Sequence, residues 1–154
     1  QHSCLAIVEI NEACNLTCPI CFADSSPHRP GNRSLTEIEA MLDALVESEG
    51  EPDLVQISGG EPTIHPQILD ILRLAKSKPI RHLMLNTNGV RIANDRKFVA
   101  ELAKLSPGFE VYLQFDSLKN RRWRISAAPI CVMCGNGRWP TWRKSVCRPP
   151  WSAW

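Results

Sequence analysis

Three cysteines fall within eight residues, in the pattern Cys14-x-x-x-Cys18-x-x-Cys21, directly after an apolar run at residues 5–10. Thiolates are soft donors, and three of them can fill three corners of a tetrahedral zinc site or ligate three of the four irons of a cubane cluster. Structural zinc sites usually add a second cysteine pair or histidines further along the chain. Here no fourth ligand lies close by, and His2, His28, His65 and His82 are scattered. A cluster held by three thiols leaves one iron open to an outside ligand, and an open iron can do chemistry. Spacing alone leaves open a reactive cluster, a structural metal and unliganded thiols.

The elements that must position these thiols alternate in type. Residues 5–10 suit a short buried parallel strand. After a loop rich in Ser, Pro and Gly, Ser34 and Glu37 form a capping box. Ile38, Met41, Leu42, Leu45 and Val46 then repeat at helical spacing as far as Gly50. Residues 54–58 read as a second strand running into Gly59-Gly60-Glu61-Pro62. Pro66 opens a second helix with Ile68, Leu69, Leu72 and Ala75 on its buried stripe. A third strand at 81–86 ends in Asn86-Thr87-Asn88-Gly89. A third helix at 95–105 carries Phe98, Val99, Leu102 and Ala103, and after the Pro107-Gly108 turn a fourth strand covers 109–115. Strand and helix in regular alternation imply right-handed parallel β/α units, whose ligands bind at the carboxyl ends of the strands. The cysteines, residues 59–61, residues 86–88 and residues 114–116 all follow such ends.

Composition bounds the answer. The chain has 154 residues with 44% apolar content, enough for one domain with a real core. It has neither an apolar stretch of membrane-spanning length nor a secretory signal pattern, so a cytoplasmic protein with no membrane span is expected. Seven cysteines in that setting point to metal rather than to disulfides. The net charge of +2 conceals two unlike segments. Residues 1–118 carry 10 basic and 16 acidic side chains, whereas 119–154 carry eight basic and none acidic.

The combination of Cys14-x-x-x-Cys18-x-x-Cys21, Gly59-Gly60-Glu61-Pro62 and Thr87-Asn88-Gly89 resembles the radical S-adenosylmethionine (SAM) superfamily, over about residues 5–118. The runs around Cys18-Pro-Ile-Cys21 and Tyr112-Leu-Gln-Phe-Asp116 resemble a branch that includes tetraether lipid synthases. The resemblance implies part of a TIM-type barrel of about four strands, with a 4Fe-4S cluster and SAM as cofactors. The activity it implies is reductive cleavage of SAM to a 5′-deoxyadenosyl radical that takes hydrogen from a substrate. The substrate, whether small molecule, lipid or peptide, is not specified. A low-potential electron donor such as flavodoxin or ferredoxin is implied as a partner.

Carried over position by position, the resemblance makes Cys14, Cys18 and Cys21 the iron ligands. Ile20 is placed near the adenine. Gly59 and Gly60 would let backbone approach the cofactor, and Glu61 would meet its ammonium group. Asn88 is either a cofactor contact or the left-handed residue of a turn. Gln114 and Asp116 share one face of the fourth strand by two-residue periodicity and would point into the site. The bland alternatives are a strand-to-helix turn with a solvent-facing acid at 59–61, a hydrogen-bond network at 114–116, and His65 as a helix-start residue. For the whole chain the alternatives are a non-catalytic metal-binding module and an inactive truncated product.

Residues 119–154 depart from the family pattern. They hold all five tryptophans, three cysteines and four prolines, with neither helical nor strand period. Cys131-x-x-Cys134 has local metal spacing, but Cys147 is distant and the segment has no histidine. Regrouping the possible codons by one base turns the tryptophans and cysteines into aliphatic residues and restores a mixed-charge helical pattern. The segment is therefore expected to be frameshift-derived and disordered. Gene sequencing checks this, and an in-frame tail in a natively expressed protein would contradict it. Its basic, tryptophan-rich composition otherwise invites a nucleic-acid partner, which the shifted composition makes unnecessary.

Overall fold

The computed structural model describes residues 5–18, 21, 23–29 and 31–114. Ile20, Asp116 and the segment 119–154 lie outside them. Four strands and four helices alternate: β1 (Ala6–Glu9), α1 (Leu35–Glu49), β2 (Leu54–Ser58), α2 (Ile68–Ser77), β3 (His82–Thr87), α3 (Val90–Asn94), α4 (Arg96–Ala103) and β4 (Phe109–Leu113). The strands form one parallel sheet in the order β1-β2-β3-β4, with Val8 opposite Ile57, Ile57 opposite Leu85 and Leu85 opposite Val111. Sequential order with same-handed crossovers keeps the helices on one face, as in a barrel wall. The sheet here is open.

Side-chain alternation divides the two faces. Val8, Val55, Ile57, Leu83 and Leu85 are buried against Ile38, Leu42, Ile71, Leu72, Phe98 and Leu102 of the helices. Each such side chain contributes about 1.5–3 kcal/mol when fully buried. The opposite face holds the intervening residues, and there Ile7 is 56% and Tyr112 54% exposed. Parallel strands are ordinarily covered on both faces, whereas among the described residues this face keeps large apolar side chains open.

Helix starts follow their sequence signals. Ser34 Oγ accepts the Glu37 N–H at 3.2 Å, while Glu37 Oε2 accepts the Ser34 N–H at 2.7 Å, completing the capping box. Those bonds from Ser34 hold the Glu37 carboxyl below its ordinary range. The expected third helix is α4, and a short helix that the spacing did not suggest, α3, precedes it. A short α3 begins at Gly89, and Asp95 restarts the chain as the cap of α4, accepting the Phe98 N–H at 2.9 Å. Asp95, where the helix was expected to start, is its cap rather than its first helical residue. The second helix likewise begins at Ile68 rather than at Pro66, because Pro62–Ile64 first forms a 3₁₀ turn.

Candidate functional site

The cysteine loop is fastened to the sheet by continuing the β1 to β2 pairing past the strand ends. The Ile10 N–H donates to the Ser58 carbonyl, the Gly60 N–H to Asn11 and the Glu61 N–H to Ala13, each at 2.9 Å. The two glycines exist for this contact. A Cβ on Gly59 would stand 2.5 Å from Asn11 Oδ1, at a φ of +140° that disfavours any side chain, and one on Gly60 would stand 2.6 Å from the Ala13 carbonyl carbon. The backbone that approaches Gly59 and Gly60 is therefore the cysteine loop itself.

Glu61 is 1% exposed, and a buried carboxylate needs donors. Its donors in this structure belong to the chain. Oε1 accepts from the Thr63 N–H at 3.0 Å, the Thr63 hydroxyl at 2.5 Å and the Thr87 hydroxyl at 2.6 Å, and Oε2 accepts from the Asn88 N–H at 2.8 Å. Four donors match the roughly four acceptor positions of a carboxylate. The Glu61 side chain thus clamps β2, the 3₁₀ turn and the tip of β3 together, while its carbonyl accepts Asn11 Nδ2 at 2.9 Å.

Asn88 is not the left-handed residue of its turn. Gly89 takes that conformation, at φ 78°. Asn88 instead reaches the cysteine loop, donating from Nδ2 to Asn15 Oδ1 at 2.7 Å. Gln114 is exposed at the end of β4 and accepts Asn86 Nδ2 at 3.3 Å, while its own N–H extends the sheet to the Thr87 carbonyl. Asn86 also donates to Ser58 Oγ at 3.2 Å, so Ser58, Asn86 and Gln114 make a polar row across three strand ends. Among the described residues Asn86 Oδ1 and Asn11 Oδ1 are buried and find no hydrogen-bond donor. His65 is a structural residue, with Nε2 3.0 Å from the Arg33 carbonyl and Nδ1 accepting the Gln67 N–H at 3.1 Å.

None of Cys14, Cys18 and Cys21 is in a disulfide. Two of the sulfurs face backbone donors: the Leu16 N–H lies 3.4 Å from Cys14 Sγ and the Ser25 N–H 3.3 Å from Cys21 Sγ. Burial pushes the Cys14 thiol up, opposed by the Leu16 N–H and reinforced by the Glu61 charge and the neighbouring thiols. Among the described residues no three His, Cys, Asp or Glu side chains converge as a single bound ion requires. The donor chemistry fits a 4Fe-4S cluster, in which each thiolate takes a different iron and N–H groups directed at sulfur offset its negative charge.

Sequence reasoning passed over Asn11, Asn15, Ser58 and Thr63, and placed Asn86 and Thr87 at a strand end without giving them a role. Asn86 and Ser58 had a usable signal, since the period of two places both on the face that carries Gln114. Asn15 had none, because its partner is 73 positions away.

Residues 8–145 match the Radical SAM superfamily, past the boundary at 118 suggested by charge. The chain is 30% identical over 125 residues to 7,8-dihydro-6-hydroxymethylpterin dimethyltransferase of Methanocaldococcus jannaschii, covering 79% of this chain and 24% of that protein. To GTP 3′,8-cyclase of Shewanella denitrificans it is 37% identical over 92 residues, covering 57% and 26%. The chain therefore spans about a quarter of the length of these curated relatives. Its fold superimposes on the crystal structure of Streptococcus suis SuiB bound to S-adenosylmethionine with a TM-score of 0.59 at 23% identity, over 73% of this chain and 25% of that one. Among the described residues no helix is long and apolar enough to cross a membrane. With three motifs at three adjacent strand ends and a match over most of its length, the chain belongs to the radical SAM superfamily.

Proposed function

We propose that this chain is the first part of a radical SAM enzyme core, with a 4Fe-4S cluster on Cys14, Cys18 and Cys21 and SAM on the remaining iron. The observation that carries this is the joining of the cysteine loop, Gly59–Glu61 and Asn88 into one hydrogen-bonded unit at the carboxyl edge of the sheet. Once bound, the cluster supplies the electron that cleaves SAM to methionine and a 5′-deoxyadenosyl radical, which takes hydrogen from a substrate.

The chain's own residues contribute position and polarity. The clamp on Glu61 fixes the distance between the thiol loop and the tip of β3. Asn86 Oδ1, buried and without a donor among the described residues, suits an N–H or O–H of SAM, and Gln114 beside it offers a second polar group. Gly59 and Gly60 serve the cofactor indirectly, by seating the loop that carries the thiols. The substrate, a cytoplasmic location and a low-potential donor such as flavodoxin or ferredoxin are parts of the same proposal.

Anaerobic reconstitution with iron and sulfide tests it. The expected result is about four irons per chain in the parent protein and loss of the cluster in Cys18→Ala. One tightly held zinc per chain, or iron uptake indifferent to Cys18, would overturn it.

A further inference from the structure

One side chain connects the tip of β3 to the cysteine loop, and it is fixed on three sides. The Asn88 N–H donates to Glu61 Oε2 at 2.8 Å, Asn88 Oδ1 accepts the Val90 N–H at 3.0 Å, and Nδ2 donates to Asn15 Oδ1 at 2.7 Å. With its oxygen on a backbone N–H, the Asn88 amide has only one orientation, and its nitrogen must face Asn15. Asn15 directly follows Cys14, and its Oδ1 lies 4.0 Å from Cys14 Sγ. Its carbonyl shares a rigid peptide plane with the Leu16 N–H that points at that sulfur.

We propose that Asn15 and Asn88 are positioning residues whose mutual hydrogen bond keeps the Leu16 N–H on Cys14 Sγ and so sets the reduction potential of the cluster. This rests on the reading above that Cys14 ligates an iron–sulfur cluster, and it deepens that reading. A thiol at Cys14 can donate to Asn15 Oδ1, but a sulfur bound to iron has no proton to give. The Asn15 oxygen then faces a negative sulfur, and among the described residues the donor on Asn88 is what holds it in place. Without that tie the Asn15 Cα, and with it the peptide plane that carries the Leu16 N–H, loses its anchor to the tip of β3. An N–H on a ligating sulfur stabilises the more negative reduced cluster, so losing it lowers the potential.

The test uses the full chain, reconstituted anaerobically, in four forms: parent, Asn15→Ala, Asn88→Ala and the double variant. Each is assayed for iron content and titrated with dithionite as the one-electron reductant, with the reduced cluster followed by electron paramagnetic resonance. At equal iron content, both single variants should show a midpoint potential displaced to more negative values by the same amount, with altered g-values, and the double variant no further displacement. Midpoints that coincide with the parent, or single-variant shifts that add in the double, would overturn the inference while leaving the cluster assignment standing. A parent chain that takes up no cluster would overturn both. Asn15 is exposed, so Asn15→Ala carries the test by itself if Asn88→Ala fails to fold.

Discussion

The two ends of the sheet are built differently. At β1 to β3 the strand tips are tied by backbone bonds from Ile10, Gly60 and Glu61 and by a buried carboxylate with four donors. At β4 the tip is held by one backbone bond from Gln114 and one side-chain bond of 3.3 Å, with Tyr112 open to solvent. The first region is preorganised by the chain itself. The second has polar groups in register with few ties among the described residues. Cluster and SAM binding should therefore tolerate change at β4 far better than change at the clamp.

The largest effect expected is at the clamp. Glu61→Ala strands four donors in the interior, at about 1–3 kcal/mol for each buried group left unpaired. Chemical denaturation should register several kcal/mol, or a chain that does not fold. Retention of parental stability would refute the clamp.

Gly60→Ala comes next. Its methyl group must push Ala13 and hence the cysteine loop off the sheet, at about 1–3 kcal/mol. The measurable result is a lowered denaturation midpoint together with weaker iron uptake, and normal uptake would show that the loop is not seated on Gly60.

The helix starts give a smaller, pH-dependent term. Bonds donated by Ser34 hold the Glu37 carboxyl low, and the Phe98 N–H does the same for Asp95. Because the folded-state values lie below the unfolded ones, the stability they add is present above the ordinary carboxylate range and lost as pH falls through the lowered values. Unfolding midpoints measured down the acid range should fall less steeply in Glu37→Gln than in the parent. Ser34→Ala should cost about 1 kcal/mol at neutral pH.

The smallest effect belongs to the open end. Tyr112→Ala should change stability by less than about 0.5 kcal/mol, since the side chain is mostly in water. A large loss would mean that this face is covered after all.

The same contrast explains what the sequence revealed. The strands, their order and the helical faces were legible because short apolar runs and three-to-four spacing report burial directly, as at Val55, Ile57, Leu83 and Leu85. The short α3 ahead of Asp95 was not, because five residues are too few to show a helical period. Within the site, the motif positions were legible but their partners were not. Glu61 is acidic in the right place, yet its four donors come from Thr63, Thr87 and Asn88, and only the fold brings β3 to it. The glycines could be seen to permit a close approach, although the approaching backbone, that of Asn11 and Ala13, lies nearly fifty positions earlier.

The central claim is that three thiols leave one iron free for SAM. The most direct measurement is the electron paramagnetic resonance spectrum of the reduced, reconstituted chain with and without SAM. The account predicts a 4Fe-4S signal whose g-values move when SAM is added. A signal unaffected by SAM, or a metal centre with every position capped by the protein, would contradict it.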